Sequence, residues 1–326
     1  MSRAKGTPVS TMRAALYDRY GGPDVVYVGA VPVPEIGRDE VLVRVRAVSV
    51  NGGELAGRAG KVRLVTGRRF PQRLGIDFVG EVVDAGASVE GVTAGGRVWG
   101  VLGRTLGSAA EYVAISPDKI APAPANLSDA EAVSMLAGGT TAMTALRDKA
   151  RLQPGERLLV RGGSGGVGSL GVQIAAMLGA RVTALASAAN LDFTRELGAD
   201  EALDHRTHRP SDLAAHDVVL DTVGTEHRAF RRLLAPGGRM VAIAFDLDRI
   251  GPSLGYIAGS AVHGAQRVRF FSGNPTSAML AELTAHAESG SLRPVVDTVR
   301  PFDEIAEAHR DLEAGGVRGK HVLQVA

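Results

Sequence analysis

The sequence of 326 residues contains no cysteine, which removes disulfide frameworks, thiolate nucleophiles and cysteine-ligated zinc together. Aromatic residues make up only 4%, with one tryptophan, Trp99. No apolar run approaches the length of a membrane span, so no membrane partner is expected. Charge of either sign is not in excess: 37 Lys and Arg stand against 35 Asp and Glu. No basic run is interleaved with aromatics, so no nucleic-acid partner is expected either. The opening MSRAKGTPVST is basic but has no apolar signal core, and reads as a loose leader before Met12. These absences leave a cytoplasmic protein acting on a small-molecule substrate. Its 45% hydrophobic content suffices for a large core, and its length fits two domains.

What is present is glycine, 42 residues of it, and the densest group lies in Arg157–Ser187. Leu158, Leu159 and Val160 form a short apolar run after a Pro154-Gly155 turn, as a buried parallel strand does. Gly163-x-Gly165-x-x-Gly168 follows. Leu170, Val172, Ile174, Ala175 and Leu178 then recur at helical spacing, with Gly179 at the stop position and a second strand over Arg181–Ala186. In a strand–turn–helix–strand unit such glycines permit a tight turn and let a pyrophosphate approach the backbone. Free N–H groups and the macrodipole at the helix start then favour its charge. A dinucleotide site is expected here.

A further absence bears on which dinucleotide. No acidic residue occurs from Gly162 to Leu191, whereas an NAD site usually has Asp or Glu at the end of the second strand. The strand ends instead in Ser187-Ala188-Ala189-Asn190, which leaves room for a 2′-phosphate. NADPH is the expected cofactor, although no Arg or Lys stands at that strand end in the sequence to pair the phosphate.

Residues 12–125 read as a compact, mostly antiparallel β domain. Val41, Val43, Val45 and Ala47 alternate with Leu42, Arg44 and Arg46, the period of a half-buried strand. Other β-like runs are Met12–Tyr17, Phe78–Val83, Arg97–Val101 and Ala110–Ile115. Ser128 caps a helix over Asp129–Leu136, with Glu131 at the capping-box position. Past the glycine unit, strands are expected at Ala202–Asp204, His216–Leu220, Met240–Ala244 and Val268–Phe271, with a helix over Glu226–Leu234. Alternating β and α segments imply a doubly wound parallel sheet, with ligand at the carboxyl ends of its strands. The tail reads as helices Ser277–Glu288 and Asp303–Glu313 and a last strand His321–Val325.

Nearly the whole chain from Met12 resembles the medium-chain dehydrogenase/reductase superfamily, in its zinc-independent, quinone oxidoreductase-like (zeta-crystallin-like) branch. The matching pieces include Tyr20-Gly21-Gly22-Pro23, Val48-Ser49-Val50-Asn51, Leu74-Gly75-Ile76-Asp77-Phe78-Val79-Gly80, Gly139-Thr140-Thr141-Ala142, Ser164–Ser169, Asp221-Thr222-Val223-Gly224 and Arg318-Gly319-Lys320. The resemblance implies an α/β fold: a GroES-like β domain (residues 1–125 with 273–326) and a Rossmann domain with a doubly wound parallel sheet (residues 126–272). It implies hydride transfer from NADPH to a quinone, enone or related conjugated carbonyl compound. It also admits an enoyl-thioester reductase, and a non-catalytic NADP(H)-binding structural or sensor protein. Zinc-dependent relatives have Gly-His-Glu where this chain has Gly75-Ile76-Asp77, and a cysteine near Asn51, so no metal site is expected.

By the same resemblance Asn51 and Thr141 are the candidate catalytic residues beside the nicotinamide. Ser164, Gly165, Gly166 and Val167 would hold the pyrophosphate, and Ser187 with Asn190 the 2′-phosphate side. His205 would stand beside the adenosine, Phe245, Phe271 and Ser272 would line the nicotinamide end, and Lys320 would close the groove. A homodimer through the edge strand Val268–Phe271 is the family expectation. Relatives carry tyrosines soon after the Asn51 position, and this chain has none before Tyr112; the proton donor is unassigned. Glu54 reads as a solvated loop carboxylate, Asp77 as a buried structural one, and Glu304, Glu307, Arg310 and Glu313 as a solvated helix face. His205-x-x-His208 reads as a solvated loop, and Trp99 either fills the β core or stacks on a flat substrate.

Overall fold

The computed structural model describes residues 10–103 and 105–325; most of the basic leader lies outside them. In chain order the first half holds β1 (Thr11–Tyr17), β2 (Val26–Pro32), β3 (Val41–Ser49), α1 (Gly52–Arg58), α2 (Arg63–Thr66), β4 (Gln72–Arg73), β5 (Asp77–Ala85), β6 (Arg97–Val101), β7 (Tyr112–Ile115) and β8 (Ile120–Pro122). The alternation in β3 puts Val41, Val43, Val45 and Ala47 in the core. Trp99 is fully buried in β6, in the core that this sheet shares with the helix Asp129–Met143, so the stacking alternative for it falls away.

The second half holds α3 (Asp129–Met143), β9 (Arg157–Arg161), α4 (Gly168–Met177), β10 (Arg181–Ala186), α5 (Leu191–Glu196), β11 (Glu201–Asp204), β12 (His216–Asp221), α6 (His227–Arg231), β13 (Leu234–Ala242), α7 (Ile250–Gly259) and β14 (Val268–Phe270). The tail adds α8 (Ser277–Glu288), β15 (Val296–Pro301), α9 (Ile305–Ala314) and β16 (Lys320–Gln324). Six strands pair in the order β11-β10-β9-β12-β13-β14, all parallel. That is the Rossmann order, with the reversal point between β9 and β12, where such sheets bind ligands. A second sheet runs β15-β16-β3-β5-β6-β8, with β7 on β3. The last strand, β16, thus returns to the N-terminal sheet and pairs antiparallel with β3 through Val322 and Ser49. Among the described residues no helix is long and apolar enough to cross a membrane.

Two helices differ from expectation. α3 starts at the Ser128 capping box but runs past Leu136 to Met143 and continues as a wider π-type turn through Ala150. Gly138 and Gly139 look like a stop in sequence. In the fold they mark close packing: a Cβ on Gly138 would stand 3.0 Å from the carbonyl carbon of Gly166, and one on Gly139 would stand 2.9 Å from Leu283. The helix expected over Glu226–Leu234 covers only His227–Arg231, because Ala235 precedes a proline and is driven out of the helical region. Leu234 already begins β13. α1, α7 and the edge strands β2 and β15 had no distinct pattern in the sequence.

Candidate functional site

The glycine turn joins β9 to α4 beside the β9/β12 reversal. Gly162 has φ +74°, and a Cβ on Gly168 would fall 3.0 Å from Gly163 Cα, so both glycines are required sterically. Gly165 has open space: its nearest neighbour to a Cβ would be the Gly162 carbonyl at 3.6 Å. The N–H groups of Val167 and Gly168 have no acceptor among the described residues, whereas that of Gly166 faces the Gly319 carbonyl across a parallel bridge. Two donors at the start of a helix ten residues long form a cradle for a phosphate anion, and the residues present fit a dinucleotide pyrophosphate.

The C-terminal strand is laced to this turn. Gly319 N–H donates to the Ser164 carbonyl at 2.8 Å, and Gly165 bridges Gly319 in parallel fashion. The Lys320 side chain then runs under Gly166, where a Cβ would meet its Cδ at 2.6 Å. Asn190 donates to Ser164 Oγ at 3.2 Å. Arg318, not among the expected site residues, reaches the end of β10: its Nε donates to Asn190 Oδ1 and its Nη2 to the Ala189 carbonyl, both at 2.7 Å. The strand end that lacks a cation in sequence therefore receives one from 128 residues away. Ser187 is the first residue after β10, and His205 lies alongside, its Nδ1 2.9 Å from the Ala186 carbonyl.

Below Lys320 lies a buried polar network. Lys320 Nζ donates to Asn51 Oδ1 and to the Val50 carbonyl at 3.2 Å. Asn51 Nδ2 donates to the Ser49 carbonyl and to Glu54 Oε1, each at 3.0 Å. Ammonium on one side and carboxylate on the other fix which way the carboxamide points. Glu54 Oε2 accepts from Gly75 N–H at 2.8 Å. Asp77 accepts from Ser49 N–H at 3.0 Å and from Ser49 Oγ at 2.6 Å. Glu54 is only 2% exposed, which corrects its reading as a solvated loop residue: it lies in the first turn of α1, with its carboxylate turned inward. Asp77 is the buried structural carboxylate expected.

Electrostatics follow from that burial. Desolvation, reinforced by Asp77, pushes the Glu54 carboxyl up to about 7. Desolvation also raises Asp77 above the usual carboxylate range, against the pull of Lys320 and the Ser49 donors. Lys320 is lowered by burial and partly restored by Asp77 and Glu54.

The remaining candidates are less closely joined. Thr141 lies on α3 three residues after Gly138 and makes no side-chain hydrogen bond among the described residues. Phe245 stacks edge-on with Phe270 at 5.6 Å, while Phe271 packs against the main core and Ser272 is exposed. His208 turns back to the Asp204 carbonyl. Of the tail acids, Glu313 pairs with the fully buried Arg58, so that helix face is not wholly solvated. No group of three His, Cys, Asp or Glu side chains that could hold a metal occurs among the described residues.

The fold and the turn invite comparison with known proteins. Residues 37–125 match the alcohol dehydrogenase GroES-like domain, and residues 197–323 match the zinc-binding dehydrogenase family. Over 96% of its length the chain is 34% identical to 2-methylene-furan-3-one reductase of Solanum lycopersicum, covering 79% of that protein. This chain is a medium-chain dehydrogenase/reductase of the quinone oxidoreductase-like branch. A second such relative, with 31% identity and the same coverages, is the chloroplastic NADPH-dependent alkenal/one oxidoreductase of Arabidopsis thaliana. Among solved structures, the quinone oxidoreductase from Coxiella burnetii superposes with a TM-score of 0.90 at 29% identity, over 97% of this chain and all of that one. The superfamily member described here accordingly pairs a GroES-like domain with a Rossmann-like one, and is an oxidoreductase of an NAD(P)H-dependent family.

Proposed function

We propose that this chain is an NADPH-dependent reductase that works without a metal and delivers hydride to the β-carbon of an enone or alkenal, or to a quinone. The observation that carries the reading is the cradle of two free amides at the start of α4 with Arg318 at the neutral end of β10. A guanidinium there suits a 2′-phosphate and has no use for the free ribose hydroxyl of NADH. The names of the tomato and Arabidopsis relatives support the substrate class. The reading gives residues 126–272 the cofactor and residues 1–125 with 273–326 the substrate.

A bound reduced nicotinamide supplies the hydride. The chain's own part is to hold the pyrophosphate on the Val167 and Gly168 amides, beside Ser164, Gly165 and Gly166 of the turn, and to keep the 2′-phosphate against Arg318, Asn190 and Ser187. It also presents the Asn51–Lys320 pair to the cleft. Lys320 uses two donors within the network, so its third N–H is the uncommitted one. It is this cation, rather than the saturated Asn51 carboxamide, that can stabilise negative charge gained by the substrate carbonyl. Thr141, His205, Phe245, Phe271 and Ser272 are assigned to the cofactor groove on the family pattern.

A homodimer through β14 and a cytoplasmic setting complete the reading. Exposed Phe270 on that edge strand supports the dimer, and sedimentation would test it. The function itself is tested by following NADPH oxidation across quinones, enones and enoyl thioesters in the presence of EDTA. Turnover of a conjugated carbonyl supports the reading. NADPH binding with no turnover on any of them would favour a structural or sensor role instead.

A further inference from the structure

The buried network under the glycine turn contains two carboxylates, Glu54 and Asp77, and a single cation, Lys320. All three are removed from water: Glu54 is 2%, Asp77 0% and Lys320 6% exposed. An uncompensated negative charge at such a site is costly, so one carboxylate is poised to take up a proton when the balance shifts. The bonding pattern decides which. Asp77 accepts from both the amide and the hydroxyl of Ser49, and these donors together with Lys320 favour its charged form. Glu54 accepts from a backbone amide and a neutral carboxamide, a weaker set for a charge, and reaches Lys320 only through Asn51.

The other charged groups around Glu54 do not change this balance. On β1 Tyr17 faces it as a neutral phenol, raised by burial to about 12. On its own helix Arg58 turns to Glu313 of α9, and His309 of α9, lowered to about 3 by burial and by Arg58, is neutral. Asp77 of β5 and Lys320 of β16 are the two charges that act on it directly.

Lys320 is also the part of the network nearest the phosphate cradle, running beneath Gly166. An anion entering the cradle draws on the positive charge that Glu54 would otherwise share. Resting on the cofactor reading above, we propose that Glu54 is a proton-balancing residue: entry of the dinucleotide beside Lys320 is accompanied by proton uptake at Glu54, through the Asn51 carboxamide that links the two. The consequence for the reaction is direct. Reduction of a conjugated carbonyl forms a C–H bond with hydride and a second with a proton, and the uptake brings a proton into a cleft where no tyrosine donor follows Asn51.

The sign of the linkage is fixed. Binding raises the Glu54 pKa above its free value of about 7, so affinity is full below that pH and falls as pH rises through the bound value, by at most about tenfold per pH unit. The test is titration calorimetry of NADPH and of NADH at about pH 7.5 in two buffers of different ionisation enthalpy. A 2′-phosphate titrating near ~6 contributes little there, and NADH lacks it. The expected result is proton uptake with both dinucleotides, lost in Glu54→Gln. Heat independent of buffer in the wild-type protein, or uptake that persists in Glu54→Gln, overturns the proposal. Should Glu54→Gln not fold, Lys320→Met serves. Without the ammonium, Glu54 stays protonated throughout, and persisting uptake would again overturn the proposal. Absence of any binding heat overturns the cofactor reading, and this inference with it.

Discussion

Replacing Gly138 by alanine sets two effects against each other, and their sizes decide the outcome. Glycine inside a helix is about 1 kcal/mol worse than alanine, so propensity alone predicts stabilisation. But a Cβ on Gly138 would stand 3.0 Å from the carbonyl carbon of Gly166 and closer still to its oxygen. Both sides of that clash are backbone, so no side chain can rotate away. Overpacking of this kind costs up to about 3 kcal/mol, which leaves a net loss of about 2 kcal/mol, or a fall in melting temperature of roughly 4–8 °C. Relief requires α3 and the glycine turn to move apart, and the Val167 amide, joined to the Gly166 carbonyl, moves with the turn. Loss of one hydrogen bond to a charged phosphate weakens NADPH binding about ten- to hundredfold. Thermal melts and a fluorescence titration read the two effects. Gly255→Ala is the control: it lies in α7 with nothing within 4 Å of a Cβ, and it should gain up to about 1 kcal/mol. A Gly138→Ala protein as stable as Gly255→Ala, with unchanged NADPH affinity, would refute the close-packing argument.

Four further outcomes are expected. Gly165→Asp places a carboxylate against the cradle and should abolish NADPH binding in the same titration; unchanged affinity would remove the site. Arg318→Ala should weaken NADPH about ten- to hundredfold while leaving NADH nearly unaffected, so the ratio of the two dissociation constants is the readout; equal loss for both would place Arg318 elsewhere. Activity should survive prolonged EDTA treatment, and loss restored by zinc would contradict a metal-independent reaction. Ser128→Ala removes the capping box of α3 and should cost about 1 kcal/mol with little change in KM.

Much of the architecture is legible in the sequence, because parallel strands and tight turns write strong local patterns. Arg181–Ala186 and Ser277–Glu288 begin and end where the apolar periods do. What local pattern cannot carry is the return of the chain upon itself. Arg318 completes the end of β10 only because β16 pairs with β3 and passes the glycine turn; the Arg-Gly-Lys triplet was the one available signal. Glu54 follows two glycines and has the look of a loop residue. Its burial comes from Gly75, 21 residues on, whose amide needs an acceptor. Gly138 shows the converse: adjacent glycines disfavour a helix in the general case, yet here they admit a neighbouring backbone.

The most direct test of the account uses NADPH deuterated at the nicotinamide C4, a simple enone, EDTA, and magnetic resonance of the product. The account predicts deuterium at the β-carbon of a saturated ketone. Deuterium on the carbonyl carbon of an allylic alcohol, or none in any product across the substrate panel, would contradict it.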